Sequence, residues 1–165
     1  MTDPRTRSYS WADPLALAAK AREMTGLDFI QAIIRGDLPQ PPIAQTLGFR
    51  LVEAREGWAA FELTPAEFQY NPIGVVHGGV GATLLDSALG CAVQAALPAG
   101  KAYTTVQLNV HMVRAITTDS PTIRAEAQVV HAGRQLATAE GRCTDAEGRV
   151  YLHGTTTCLI FPLPG

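Results

Sequence analysis

The spacing of hydrophobic residues predicts two helices near the start of the chain. Asp13 followed by Pro14 is typical of an N-cap and a first helical position, and the helical pattern continues to about Met24. A second helix begins after Thr25, in a sequence that resembles a capping box, and ends before Gly36. Its apolar face consists of Leu27, Ile30 and Ile34.

A longer helix is expected from Val80 to Leu97. This stretch is dominated by Ala, Leu and Val and contains no proline, while Pro98 and Gly100 supply a stop. Its length corresponds to about five helical turns.

From Phe49 onward, outside this helix, the pattern changes to a period of two, which is typical of strands. Turn-forming pairs such as Ala132-Gly133 separate the later strands, so we expect hairpins and an antiparallel sheet. The predicted strands cover residues 49–55, 57–63, 103–114, 122–131, 134–144 and 149–161.

Apolar and polar residues alternate along strand 103–114, so we expect the apolar set to face the long helix. The set is Val106, Leu108, Val110 and Met112, and its expected partners on the helix are Leu84, Leu85 and Val93.

These elements indicate an α+β fold, and the length of the chain suits one compact domain with a hydrophobic core. The proline-rich segment 38–42 marks its only expected internal boundary. We therefore divide the chain into an N-terminal helical extension, 1–41, and a main domain, 42–165. The two early helices are interpreted as a lid or a packing element over the sheet, with a separate binding module as the alternative.

The long helix carries one carboxylate, Asp86, and no basic side chain three or four positions away that could pair with it. The residues on its face form either the solvated side of an ordinary amphipathic helix or the wall of a cleft. Their small size favours a cleft, because small residues let a ligand or another backbone approach closely. They are Thr83, Asp86, Ser87, Gly90 and Gln94.

Gly78 and Gly79 lie at the start of this helix, where the first backbone N–H groups have no partner within the helix. Without a Cβ atom at Gly78, a substrate carbonyl oxygen could reach its N–H, as in the oxyanion holes of acyl-transfer enzymes. Two adjacent glycines alone are more often a tight turn.

The spacing of Gly78 and Asp86 predicts how the chain assembles. They lie eight residues apart, which is about 12 Å of helical rise and too far for both to contact one reacting carbon. A second copy of the helix, antiparallel and related by a two-fold axis, could bring Asp86 of one subunit beside Gly78 of the other. We therefore expect a homodimer with active sites across its interface.

Two motifs carry a family resemblance that extends from about Pro42 to Phe161. The first is Asn71-x5-His77-Gly78-Gly79-x6-Asp86, and the second is the strand sequence Thr104-Thr105-Val106-Gln107-Leu108-Asn109-Val110. Together they resemble the hotdog-fold acyl-CoA thioesterases of the phenylacetate-pathway (PaaI) type. The resemblance implies a long helix wrapped by an antiparallel sheet of five to six strands, subunits that pair through their sheets, and dimers that can pair into a tetramer.

The resemblance also implies roles for individual residues. Asp86 would be the general base or the nucleophile, while the Gly78 amide and the Asn71 side chain would polarise the thioester carbonyl. His77 and Gly79 would shape the substrate-binding entrance of the helix. A hydroxyl that holds water would come from Thr105, with Thr104 as the alternative.

Small and apolar helix residues suggest a modest pocket for an aryl-acetyl or short-to-medium acyl group. Arg114 and Arg134, near strand ends, are either contacts for CoA phosphates or solvated surface residues. Two other functions stay open, a non-catalytic acyl-CoA sensor and a hotdog hydratase or dehydratase. The expected pocket residues are Gly81, Ala82, Leu84, Leu85, Ala88 and Leu89.

Composition excludes several other classes of function. A net charge of -2 and a pI near 6.1 give no reason to expect nucleic acid as a partner. No apolar run approaches membrane-spanning length, and the cysteines Cys91, Cys143 and Cys158 suggest buried thiols in the cytoplasm. The histidines have no metal-ligand spacing, so no metal site is expected, and no cofactor either, since CoA is part of the substrate.

Overall fold

The computed structural model describes residues 5–163, which form four α-helices, one short 3₁₀ turn and six strands. The helices are α1 (Pro14–Glu23), α2 (Gly26–Arg35), α3 (Pro42–Leu47) and α4 (Gly78–Ala95). The 3₁₀ turn is Glu67–Gln69, and the strands are β1 (Phe49–Arg55), β2 (Trp58–Leu63), β3 (Lys101–Met112), β4 (Ile123–Ala132), β5 (Leu136–Thr144) and β6 (Val150–Pro162).

All six strands join one antiparallel sheet in the order β1-β2-β4-β5-β6-β3. Helix α4 packs against every strand of this sheet. The predicted α+β architecture, with its long helix against an antiparallel sheet, is therefore confirmed.

The core lies between α4 and the sheet. Leu85 is fully buried and sits over two glycines of the sheet, since a Cβ atom at Gly141 or Gly154 would lie 3.1 or 3.2 Å from its methyl groups. The missing side chains thus let the helix lie close to the strands. The expectation that Leu84, Leu85, Ala88 and Leu89 line a substrate pocket is wrong, because their side chains are completely buried in this core.

Strand β3 forms an edge of the sheet, and its burial differs from the predicted pattern. Val106, Leu108 and Met112 are 56, 36 and 54% exposed, and only Val110 of the expected set packs against the core. The pairing of β3 with β6 shifts register between Thr105 and Gln107, which leaves Val106 in a β-bulge. The expected burial of the whole set is therefore wrong, and at Val106 the bulge interrupts the alternation on which the expectation rested.

The early helices begin and end where the sequence predicted. The Asp13 side chain accepts a hydrogen bond from the Leu15 N–H, and the Thr25 side chain caps α2, which ends at Gly36 with a φ of 84°. Ile30 of α2 is buried in the same hydrophobic core as the apolar side chains of α4. Helix α2 is therefore a packing element of the main fold. The division at residue 41 stays a prediction.

Short helical segments between the predicted elements were not foreseen. Helix α3 occupies Pro42–Leu47 and so begins at the last residue of the proline-rich segment 38–42, and the 3₁₀ turn precedes Asn71. In residues 5–163, no helix is both long and apolar enough to cross a membrane.

Candidate active site

The first turn of α4 is capped by its own preceding histidine. The Nδ1 atom of His77 accepts a hydrogen bond from the Gly79 N–H at 2.9 Å. This bond occupies the Gly79 amide, so Gly79 belongs to the helix cap and its N–H does not face a substrate. The Gly78 N–H has no partner among the described residues and remains available for an acceptor.

Asn71 is held in a tight turn by its own side chain. Its Oδ1 atom accepts hydrogen bonds from the N–H groups of Ile73 and Val75 at 3.1 and 3.2 Å. Because these bonds engage the oxygen, the Nδ2 group is the part of the amide that can donate to another molecule.

Asn71, His77 and Gly78 meet at one cavity of about 330 Å³. The segment that follows β3 also lines this cavity, and there the backbone N–H of Val76 donates a hydrogen bond to the Ile116 carbonyl at 2.9 Å. The side chain of Met112 lies beside the Cα atom of Gly78, because a Cβ atom there would lie 2.6 Å from the Met112 sulfur. The other lining residues are Val75, Gly81, Val113, Arg114, Ala115 and Leu152.

Asp86 lies two turns further along α4, in contact with β3. The Thr105 hydroxyl donates a hydrogen bond to Asp86 Oδ1 at 3.2 Å. Among residues 5–163, no cation forms an ion pair with this carboxylate. Burial raises the pKa of Asp86 above its ordinary value, and the Thr105 hydrogen bond opposes part of that rise.

The structure also distinguishes the two candidate threonines. Thr105 faces the helix, whereas Thr104 is exposed and pairs across the sheet with Leu159. Thr105 is therefore the hydroxyl that contacts the candidate acid, and the alternative role for Thr104 has no support in this geometry.

Within one chain, the predicted site residues form two separate groups. Asn71, His77 and Gly78 line the cavity at the start of α4, whereas Asp86 and Thr105 are not among the residues that line it. The described chain does not bring the oxyanion donors and the acid together by itself.

Sequence reasoning missed Tyr103, which packs beside Asp86. A Cβ atom at Gly90 would lie 2.2 Å from the Tyr103 hydroxyl oxygen, so the missing side chain of Gly90 makes room for the tyrosine. Burial raises the pKa of Tyr103 well above its usual range, so the phenol stays protonated. Alternation along β3 could have indicated this contact, because Tyr103 stands two residues before Thr105.

Several other candidates take no part in this site. Burial raises the pKa of the Cys91 and Cys143 thiols to about 12, which keeps them neutral and weakly nucleophilic. The Thr83 and Ser87 hydroxyls donate to carbonyl oxygens of their own helix, at 2.8 Å each. No cluster of three metal-ligating side chains occurs in the part of the chain that the structure describes.

A family model described as the thioesterase superfamily matches residues 73–152, which include the start of α4 and Asp86. A protein of Halobacterium salinarum, named as a candidate esterase, is 34% identical over 124 residues, which cover 71% of this chain and 80% of that protein. The chain belongs to the thioesterase superfamily. Membership supports hydrolysis of a thioester as the general class of activity.

Solved structures of similar shape confirm the hotdog fold. A thioesterase of Haemophilus influenzae matches with a TM-score of 0.72 at 19% identity, over 82% of this chain and 92% of that one. A protein of Ralstonia eutropha JMP134, named as a candidate thioesterase and as phenylacetic acid degradation-related, matches with a TM-score of 0.70 at 26% identity. That match covers 79% of this chain and 98% of the other.

Proposed function

We propose that this superfamily member hydrolyses acyl-CoA thioesters of the aryl-acetyl or short-to-medium acyl class, as the phenylacetate-pathway type does, at active sites shared between two subunits. The observation that carries the proposal is the half-buried Asp86 carboxylate, which forms no ion pair in residues 5–163 and accepts a hydrogen bond from Thr105. A carboxylate with a raised pKa and a hydroxyl neighbour suits proton abstraction from water near neutral pH.

The oxyanion donors in this proposal are the Gly78 N–H and the Asn71 side-chain amide. Both line the cavity at the start of α4, and both have donor hydrogens that no described residue accepts. The positive end of the helix dipole lies at the same point. Negative charge that develops on the thioester oxygen would be stabilised there.

The reaction proceeds through attack on the thioester carbon. In one version Asp86 takes a proton from a water molecule, and the resulting hydroxide adds to the thioester carbon. The C–S bond then breaks to give the free acid and the CoA thiolate. The thiolate takes up the proton that Asp86 holds. In the other version the carboxylate attacks directly, releases the thiolate, and water hydrolyses the resulting anhydride. Neither version needs a cofactor, because CoA is part of the substrate.

The shared site follows from the separation of the two groups along α4. Eight residues of helix place Gly78 and Asp86 about 12 Å apart, so one carbonyl cannot contact both within a chain. The edge strand β3 offers a place for a second copy, since within residues 5–163 it pairs on one side only, with β6, and it carries the exposed Val106, Leu108 and Met112. Pairing two β3 edges about a two-fold axis would complete two sites.

The same cavity also suggests a contact for the CoA part of the substrate. Arg114 lines it, whereas Arg134 does not, and no carboxylate pairs with Arg114 among the described residues. We therefore favour Arg114 over Arg134 as a contact for an anionic group of CoA.

The test is release of free thiol from a panel of acyl-CoAs. We expect turnover by the unmodified protein and a loss of at least about a hundredfold in kcat for Asp86→Asn, with a much smaller change in KM. Asp37→Asn is the matched control, because Asp37 is an exposed acid paired with Arg35, and it should retain full activity. Tight binding of acyl-CoA without turnover would refute the proposal and favour a sensor.

The shared site has a separate test in mixed subunits. Asn71→Ala and Asp86→Asn proteins, each inactive alone, are combined under conditions of subunit exchange. Half of the randomly mixed dimers contain one variant of each kind, and each such dimer has one intact site of two, so activity should recover to about a quarter of the original. Confirmed exchange without recovery would contradict the shared site.

A further inference from the structure

The N-terminal segment 5–9 crosses the surface next to α3 and the 3₁₀ turn. Arg7 donates hydrogen bonds from its guanidinium to the carbonyl oxygens of Thr46, at 2.7 Å, and Gln45. These carbonyls belong to the last turn of α3, where helix carbonyls lack partners within the helix. Arg7 therefore ties the start of the chain to the end of α3.

The same guanidinium also contacts the 3₁₀ turn. Its central carbon lies 3.9 Å from the centre of the Phe68 ring and 4.6 Å from the Tyr9 ring, in cation–π geometry. The neighbouring Arg5 pairs with Glu67 at 2.6 Å. Both contacts hold the segment 67–69, which directly precedes the turn of Asn71.

Gln69 connects this segment to the start of α4. Its side chain is buried and bridges the Ala66 N–H, at 2.9 Å, and the Leu47 carbonyl, at 2.7 Å. Its backbone carbonyl accepts the N–H of His77 at 2.8 Å. Since His77 is the N-cap of α4, Gln69 fixes the residue that precedes Gly78.

We infer that Arg7 is a positioning residue for the oxyanion donors, acting through Phe68 and Gln69. The inference rests on the proposed function of Asn71 and Gly78. Arg7 contacts two elements that lead into the segment carrying these groups: the end of α3, to which Gln69 bonds through Leu47, and the ring of Phe68. Loss of the Arg7 contacts would loosen this segment and shift the Asn71 and Gly78 donors, although Arg7 itself does not touch the substrate. Displacements of about an ångström at a reacting group are enough to slow catalysis.

The variants are Arg7→Ala, Arg7→Lys and, as the control, Arg35→Ala, which removes an exposed arginine from an ion pair on α2. We expect Arg7→Ala to lower kcat roughly tenfold with KM changed less than about twofold, because the donors act on the transition state. The kcat of Arg7→Lys should fall between those of Arg7→Ala and the unmodified protein. An ammonium group cannot bond to both α3 carbonyls while it also covers the Phe68 ring. Arg35→Ala should match the unmodified protein.

A second measurement separates failure of the positioning role from failure of the proposed function. Amide hydrogen exchange followed by mass spectrometry should rise in Arg7→Ala within peptides that span 66–79 and stay unchanged in β4 and β5. This readout applies even if no thioester is hydrolysed, an outcome that would refute the proposed function alone. Unchanged exchange at 66–79, exchange that rises throughout the protein, or an unchanged kcat in an active enzyme would each overturn the role of Arg7.

Discussion

Adding a single methyl group to α4 at Gly90 tests the contact between the helix and β3 beside the candidate acid. The new Cβ atom would lie 2.2 Å from the Tyr103 hydroxyl oxygen and 2.9 Å from the adjacent ring carbon. The ring must retreat by roughly 1 Å to reach ordinary contact. Such overpacking costs about 1–3 kcal/mol, whereas replacement of glycine by alanine inside a helix contributes about 1 kcal/mol in the opposite direction.

The expected result for Gly90→Ala is a loss of up to about 2 kcal/mol in the free energy of unfolding. Urea titration at a fixed protein concentration measures this value, since the stability of the proposed dimer would depend on concentration. Gly81→Ala is the matched control on the same helix. Its Cβ atom would meet the methyl groups of Leu152, at 2.8 and 3.3 Å, at the end of a side chain that borders the cavity.

A second substitution identifies the atom responsible. Tyr103→Phe removes the hydroxyl, so Gly90→Ala should cost less in that background, with a coupling of at least about 0.5 kcal/mol. Because Tyr103 and Thr105 stand on the same face of β3, the displaced ring should also lower kcat. A Gly90→Ala protein more stable than the original by the full helix preference of alanine would refute the contact.

Two further predictions concern the charge of Asp86. Thr105→Val removes a donor that lowers the pKa of Asp86, so the acidic limb of the kcat/KM profile should move to higher pH, whereas Thr104→Val, at an exposed position, should leave it in place. Because burial raises the pKa of Asp86 in the folded state, its ionisation weakens folding as pH rises through that pKa. Asp86→Asn should therefore melt at a higher temperature than the original at pH 7. The difference in melting temperature should shrink below the ordinary pKa of Asp. An equal difference at pH 3 and pH 7 would contradict this reasoning.

Local signals in the sequence were sufficient for most element boundaries. The helix caps at Asp13 and Thr25 rest on side chains that bond to nearby backbone, and the strands rest on alternation and turn residues. Both kinds of signal act within a few residues along the chain. The start of α4 was placed two residues late because glycines at 78 and 79 were assigned to its entrance rather than to its first turn.

The position of β3 in the sheet depends on contacts that no local pattern contains. Alternation predicted that its apolar residues face the helix, but it could not show that β3 is an edge strand or that a bulge follows Thr105. The bulge lets Thr105 and Val110 face the same helix although they are an odd number of residues apart. The contact between Thr105 and Asp86 was implied by family resemblance, whereas the roles of Tyr103 and Arg7 needed the three-dimensional arrangement.

The strand order also constrains how the chain acquires its site during synthesis. Within the described sheet, β3 pairs only with β6, although about 40 residues separate the end of one strand from the start of the other. On the ribosome, Thr105 therefore emerges long before the strand that holds β3 in register. The candidate acid and its hydroxyl partner can be fixed only when β6, the last strand of the sheet, has left the exit tunnel. Ribosome-bound chains that end before Val150 should consequently lack any thioesterase activity, even though every residue assigned to the chemistry has already been made.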